Sequence, residues 1–363
     1  MPVKATAFIF LIAMAFCFFI PAPGATQNII AYYSGNAQSI DQYPVSKLTH
    51  IIYSFCHLKG NRLHVHNAGD SATIKKLVRL KQQYPTLKIL LSLGGWGGCK
   101  TCSPVFSTAE GREAFAQSVA GLAGYFHTDG IDIDWEFPTV ASYPGHPFSP
   151  ADRDNFTALL QTLRQQLGPS AEISFIAAAF SPYLQQSIDW KKAMLVVTRV
   201  NLMSYDIIGS RSPITGHHTS LYSSTRQQES ADHAVHYLDS LGVPASKIAI
   251  GVAYYAREFD GVPDINHGLY QPGRFNRFLS MKQVRRYYNA ANGYREYWDN
   301  EAQAPYRYNA SKKIYLTYDN ERSAAAKAGY VREKKLNGIM FWELRLDNAQ
   351  GGLTDVIYNA LRK

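Results

Sequence analysis

Asp129-Gly130-Ile131-Asp132-Ile133-Asp134-Trp135-Glu136 carries a carboxylate at alternate positions from Asp132 to Glu136, with Ile131, Ile133 and Trp135 filling the places between. A period of two marks a β-strand, in which residues i, i+2 and i+4 share one face. Asp132, Asp134 and Glu136 are therefore expected to point the same way, about 6.6 Å apart per step at ~3.3 Å rise per residue. Two unit charges at that separation repel by about 2.5 kcal/mol at an effective dielectric of about 20. One pKa unit corresponds to about 1.4 kcal/mol, so such a row is not fully ionised at neutral pH. One member keeps a proton, as a general acid must. The competing reading is a solvated acidic face on an edge strand. Against it, a glycine precedes the row and Phe137-Pro138 follows, so the strand stops at its last acid. The flanking chain also alternates strand-like and helix-like segments, the pattern of a buried parallel sheet.

Eight short apolar runs recur along the chain: Ile29–Tyr33, His50–Cys56, Lys88–Leu93, Gly130–Glu136, Ile173–Ala179, Val200–Tyr205, Ile248–Tyr255 and Gly338–Trp342. Amphipathic stretches lie between most of them. Ala72–Tyr84, Phe115–Phe126 and Asp152–Leu167 space their apolar residues at helical intervals. Eight strands alternating with helices indicate a (β/α)8 TIM barrel over residues 26–363. An open doubly wound sheet is the alternative, but no glycine-rich nucleotide signature follows the first strand. The span from Ile248–Tyr255 to Gly338 is too long for one helix and its loops. Residues 259–318, rich in Tyr, Asn, Arg and Gly, read as a small α+β insertion after strand seven, with a helix over Asn320–Lys335 behind it. Insertions at that end extend an active-site wall, because the loops after the strands gather there.

The first 25 residues read differently. Lys4 precedes an apolar run from Ala5 to Ile20, followed by Pro21-Ala22-Pro23-Gly24-Ala25, the plan of a secretory signal peptide over residues 1–25. The run falls short of the ~20 residues of a spanning helix. A secreted, extracellular protein with no membrane span is expected. The formal net charge of +9 has no long basic run or nucleic-acid motif behind it, so no nucleic-acid partner is expected. Cys99-Lys100-Thr101-Cys102 is consistent with a redox pair, half a zinc site or a local disulfide, and export favours the disulfide. Cys56 lies in an apolar strand and reads as a small buried hydrophobe. His64/His66 and His217/His218 lack a matching ligand set, so neither metal nor other cofactor is expected.

In a barrel, catalytic side chains come from the C-terminal ends of the strands. Those ends carry Tyr33, Phe55, Gly94-Gly95-Trp96, Glu136, Met203-Ser204-Tyr205-Asp206, Tyr255 with Arg257, and Trp342-Glu343. Aromatic faces suit the apolar faces of sugar rings, and Asp, Tyr and Arg suit hydroxyl and amide groups. A polymeric carbohydrate fits this mouth better than a phosphate or a nicotinamide.

At this point the chain resembles the family-18 glycoside hydrolases, the chitinases. Asp129–Glu136 is similar to that family's signature, Ser92-Leu93-Gly94-Gly95-Trp96 to its strand-three motif, Met203-Ser204-Tyr205-Asp206 to its strand-six motif, and Trp342 to its strand-eight tryptophan. The likeness spans nearly the whole mature chain, and the insertion is of the kind found in one chitinase subgroup. Phe137 stands where a tyrosine is common and Ala253 where a proline is frequent. The resemblance implies chitin or chito-oligosaccharides as substrate. It implies Glu136 as proton donor, Asp134 orienting the substrate's N-acetyl group, Asp132 sharing a proton with Asp134, and Tyr205 and Asp206 binding the acetamide. Trp342 would underlie the sugar at the cleavage point, with Trp96 and Arg257 in neighbouring subsites and Tyr33, Met203 and Gly95 also toward substrate. The expected assembly is a monomer. A chitin lectin on the same scaffold would lack the acid at the position of Glu136. An endo-β-N-acetylglucosaminidase acting on N-glycans would share the mechanism.

Overall fold

The computed structural model describes residue 1 and residues 27–363; the expected leader over residues 1–25 lies outside the described residues, apart from Met1. Eight parallel strands form the barrel: β1 (Asn28–Tyr33), β2 (His50–Lys59), β3 (Lys88–Gly94), β4 (Gly130–Asp134), β5 (Glu172–Ala178), β6 (Arg199–Met203), β7 (Ile248–Ala253) and β8 (Gly338–Trp342). Each pairs with its sequence neighbour, and β1 pairs with both β2 and β8, which closes the ring. The strands read as nearly continuous apolar runs because the helices cover their outer face and packed side chains fill the inner one.

Helices follow most strands at Ala68–Arg79, Ala109–Phe126, Asp152–Leu167, Trp190–Val196, Ala231–Ser240, Glu321–Glu333 and Leu353–Leu361. Between β1 and β2 there are only two 3-10 turns, Ser39–Gln42 and Val45–Lys47, so the helix–strand alternation fails once. Helix starts follow local chemistry. The side chains of Asn67, Thr108, Ser230 and Asn320 each accept a hydrogen bond from a backbone N–H of the first turn. Asp152–Leu167 turns Phe156, Leu159, Leu160 and Leu163 inward. Phe156 meets Trp135 edge-on, with ring centres 6.0 Å apart. Trp135 thus packs outward from the barrel, as strand alternation requires of a residue between two acids.

The apolar run over Ile248–Tyr255 ends as barrel strand at Ala253, and Tyr255–Asp260 starts a second sheet. This five-stranded antiparallel sheet runs in the order Arg274–Ser280, Tyr255–Asp260, Ile314–Thr317, Ala304–Asn309, Arg295–Asp299. Phe259, Val262, Leu269, Tyr306, Tyr308 and Tyr315 form a small core of its own. The expected start at residue 259 is thus four residues late, because Tyr255 and Arg257 already belong to this sheet. Among the described residues, no helix is long and apolar enough to cross a membrane.

Candidate active site

The acidic row sits at the C-terminal mouth, but not as one straight ladder. Strand β4 ends at Asp134, and Glu136 lies two residues beyond it. Gly94 and Gly95 allow the close approach here. Both have positive φ (111° and 81°), a Cβ at Gly94 would collide with the Asp134 carbonyl, and one at Gly95 would collide with the Phe55 ring. The Gly95 N–H donates to the Asp134 carbonyl at 2.9 Å, tying the end of β3 to the end of β4. Cys99 and Cys102 form a disulfide in the loop that follows.

Asp132 is fully buried in the barrel interior. Its carboxylate accepts four hydrogen bonds from four different strands: Tyr32 Oη at 3.0 Å, Ser92 Oγ at 3.1 Å, Ser174 Oγ at 2.5 Å and Asn201 Nδ2 at 3.0 Å. Asn201 Nδ2 also donates to Tyr32 Oη at 3.0 Å. Burial raises the Asp132 carboxyl above its usual range, while the bonds from Ser174 and Tyr32, the charge of Arg199 and the bond from Ser92 oppose the rise. With both oxygens committed in this way, Asp132 has little acceptor capacity left for Asp134. Glu136 is the neighbour whose charge weighs most on Asp134, ahead of Asp132, so Asp134 and Glu136 form a close acidic pair.

Burial drives both members of this pair upward. Asp134 is raised far above the carboxylate range by desolvation and by the charges of Glu136 and Asp132. Glu136 is pushed up to about 8, first by burial and then by the charge of Asp206. The pair holds at least one proton at neutral pH. Asp206 behaves in the opposite way. Partial desolvation would raise it, but the neighbouring His218 and the Arg257 charge hold it well below the carboxylate range. Tyr255 Oη donates to Asp206 Oδ1 at 2.7 Å, Arg257 Nε donates at 2.6 Å, and His218 Nδ1 lies 3.5 Å away. The mouth thus sets a fixed anion beside a protonated pair, with the acid and base roles separated by environment.

Tyr205 is buried among these carboxyls, and burial followed by the charges of Asp134, Asp206 and Glu136 pushes its hydroxyl far up, so it remains a donor. Trp342, half-buried, stacks on Phe55 with ring centres 5.4 Å apart and planes 15° apart, and lies tilted against Tyr32 at 5.9 Å. Trp96 is 58% exposed and meets Tyr143 edge-on at 5.6 Å, so it stands at the rim. Met203 is half-buried at the end of β6.

The structure brings together Glu136, Asp134, Tyr205, Asp206, Arg257 and Trp342, with Asp132 one layer below. Two expected substrate contacts fall elsewhere. Tyr33 is fully buried, and its hydroxyl donates to the Asn36 carbonyl at 2.5 Å and meets Ser39 Oγ at 2.7 Å, outside the barrel lumen. It is Tyr32, one residue earlier, that faces the acids. Gly95 is buried under Phe55 and serves the backbone crossing instead of a ligand. Sequence reasoning missed Tyr32, Ser92, Ser174 and Asn201. The signal for Ser92, Ser174 and Asn201 was a polar residue in the middle of an apolar strand, at the same parity as the acids. His218 and Tyr143 come from loops and carried no such mark.

The sequence profile described as "Glycosyl hydrolases family 18" matches residues 28–347. Chitinase A1 of Niallia circulans is 32% identical over 314 residues, covering 77% of this chain, which in turn spans 44% of that relative's length. Chitinase B of Serratia marcescens is 29% identical over 422 residues, covering 93% of this chain and 81% of that protein. Among solved structures, a family-18 N-acetylglucosaminidase from Paenibacillus barengoltzii superposes with a TM-score of 0.84 at 34% identity, covering 92% of this chain and 99% of its own. The paired carboxyls at the end of β4, the aromatic stack at β8 and the barrel that carries them agree with this match over most of the chain, and the protein belongs to glycosyl hydrolases family 18.

Proposed function

We propose that this protein hydrolyses the β-1,4 linkages of chitin or chito-oligosaccharides, with retention of configuration and with the substrate's own N-acetyl group as nucleophile. The observation that carries the reading is the proton-holding pair of buried Asp134 and half-buried Glu136 beside an Asp206 already engaged by Arg257 and Tyr255. A retaining glycosidase of the two-carboxylate kind needs a second free carboxylate as nucleophile, and family 18 is an exception to that rule. In this mouth, Asp132 is saturated by four donors, and Asp206 is held by an arginine. Membership of family 18 implies the acetamide oxygen as nucleophile in their place.

Glu136 gives its proton to the glycosidic oxygen as the acetamide carbonyl oxygen attacks the anomeric carbon and the leaving sugar departs. The resulting Glu136 carboxylate then takes a proton from water, which opens the cyclised intermediate from the β face. Once Glu136 has given its proton, the one left in the pair is shared between the two carboxyls, so Asp134 gains negative charge, accepts the acetamide N–H and balances the developing positive charge, while Tyr205 and Asp206 hold the rest of that group. Trp342, backed by Phe55, underlies the sugar, and Trp96 with Tyr143 extends the rim. The relatives carry both chitinase and N-acetylglucosaminidase names, so the size of the released product is the open specificity. A lectin reading is disfavoured because the acid is present and its proton is retained to about pH 8. Residues 1–25 support secretion through the leader pattern.

The test is hydrolysis of chitohexaose followed by proton NMR and chromatography. The expected outcome is turnover with the β-anomer as first product; binding without turnover, or an initial α-anomer, contradicts the proposal.

A further inference from the structure

Below the acids, at the N-terminal end of the barrel, a charged cluster has no place in the mechanism so far. Arg199 opens β6, in register with Ser174 of β5, and lies two residues before Asn201 on the same face. Ser174 and Asn201 are the two groups that bond Asp132 Oδ1. The Arg199 side chain is only 1% exposed. Its Nη1 donates to Glu172 Oε2 at 2.6 Å and to His50 Nε2 at 3.1 Å. Its Nε and Nη2 are sealed from solvent and have no acceptor among the described residues. A guanidinium is always charged, and an unsaturated one enclosed in a barrel exerts its field on whatever anion is nearest.

We propose that Arg199 is a positioning residue for the reaction: a fixed cation beneath Asp132 that keeps this carboxylate ionised, so that it accepts all four of its hydrogen bonds and repels charge from Asp134 above it. The inference rests on the functional reading of the acidic row given above. Protonating Asp132 would turn one acceptor oxygen into a donor facing donors, loosening the bonds from Tyr32, Ser92, Ser174 and Asn201. It would also remove the repulsion that keeps the proton on the Asp134–Glu136 pair. The surrounding groups support the assignment. Burial, with the Arg199 charge, lowers His50 to about 4, so this ring is neutral in the working range. Burial would raise Glu172, but the His50 bond and the Arg199 charge bring it to about 2. Glu172 is therefore the anion already paired with Arg199. Asp132 is tied through Ser174 and Asn201 to the register of Arg199, whose charge acts on it, and the charge of Asp132 in turn acts on Asp134, Tyr32 and Tyr205. Asp129, just before the start of β4, also acts on His50, and Lys47, Lys88 and Arg362 line a 480 Å³ cavity beside the cluster.

The test is the pH dependence of kcat/KM on a fluorogenic chitobioside in the full-length protein. Activity is lost on acidification as Asp132 takes up a proton. Removing the cation raises that point, so Arg199→Met is expected to move the acid limb toward neutrality by about one pH unit, about a tenfold loss on the acid side relative to the plateau. Glu172→Gln frees Arg199 from its partner and is expected to move the same limb the other way, by about half a unit. Arg199→Lys should restore most of the wild-type position. Opposite shifts support the assignment, because general loosening of the barrel would move both variants alike. Limbs that stay at the wild-type position, or shift in one direction, overturn it. If Arg199→Met does not fold, Glu172→Gln decides alone: a shift to lower pH supports, and no shift or a shift to higher pH overturns. A wild-type protein without any turnover would instead refute the functional reading itself.

Discussion

Glu136→Gln is expected to lower kcat on chito-oligosaccharides by about 10^4-fold, at the top of the range for a positioned general acid. The amide matches the carboxyl in shape but has no proton of suitable acidity to give to the leaving oxygen. The loss corresponds to about 5.5 kcal/mol of transition-state stabilisation. Substrate affinity should stay within a few-fold, since ground-state contacts come from Tyr205, Asp206 and Trp342. The fold should be unharmed, because Glu136 already carries a proton in its half-buried site and a neutral amide replaces a neutral acid. Isothermal titration of the variant with chitohexaose and a steady-state assay separate the two effects. Loss of binding in step with loss of turnover would make Glu136 a structural residue.

Asp134→Asn should cost about 10^3-fold in kcat with little change in KM, the size of effect seen when one preorganised electrostatic partner is removed from a developing charge. Asparagine keeps the volume but cannot take on the negative charge that Asp134 gains when the pair has given one proton to the leaving oxygen, and that opposes the cationic, cyclised intermediate. It also takes a titrating member out of the pair that shares a proton with Glu136. The readout that distinguishes this role is the split between kcat and KM. A variant with unchanged kcat would mean that Asp134 is not engaged by the acetamide. Asp132 is predicted to act less directly, since four neighbours occupy its oxygens and its side chain is wholly enclosed.

The barrel was legible because its strands are short, apolar and separated by helical periods, and because parallel strands buried on both faces leave few alternatives for such runs. Gly338–Trp342 and the Asp152–Leu167 helix are found where the pattern places them. Strand ends were less legible. Alternation alone extends β4 to Glu136, but the backbone leaves the strand after Asp134, and this departure is what brings Glu136 against Asp134. Which face a strand turns inward also depends on register between strands. Both Tyr32 and Tyr33 are aromatic and buried, and only the pairing of β1 with β2 and β8 decides that Tyr32 meets Asp132. Arg199 was hidden for the related reason that a charged residue at the start of a strand reads as a solvated end, whereas here it is enclosed by His50 and Glu172. The tie between Asp206 and His218 spans a loop, and loop geometry leaves no periodic trace.

The most direct test of the central claim is the alkaline limb of kcat/KM against pH, measured on a chitobioside whose leaving group does not titrate in the range. Glu136 must be protonated to act, and its burial beside Asp206 places its proton loss at about 8. The sign follows from the raised value: activity is fully present below that pH and is lost as pH rises through it. A plateau that extends to neutrality and falls with a midpoint near 8 is the predicted result. A rate that falls near the ordinary carboxyl range of about 4 to 5 would contradict it, because it would show Glu136 solvated and its proton unprotected.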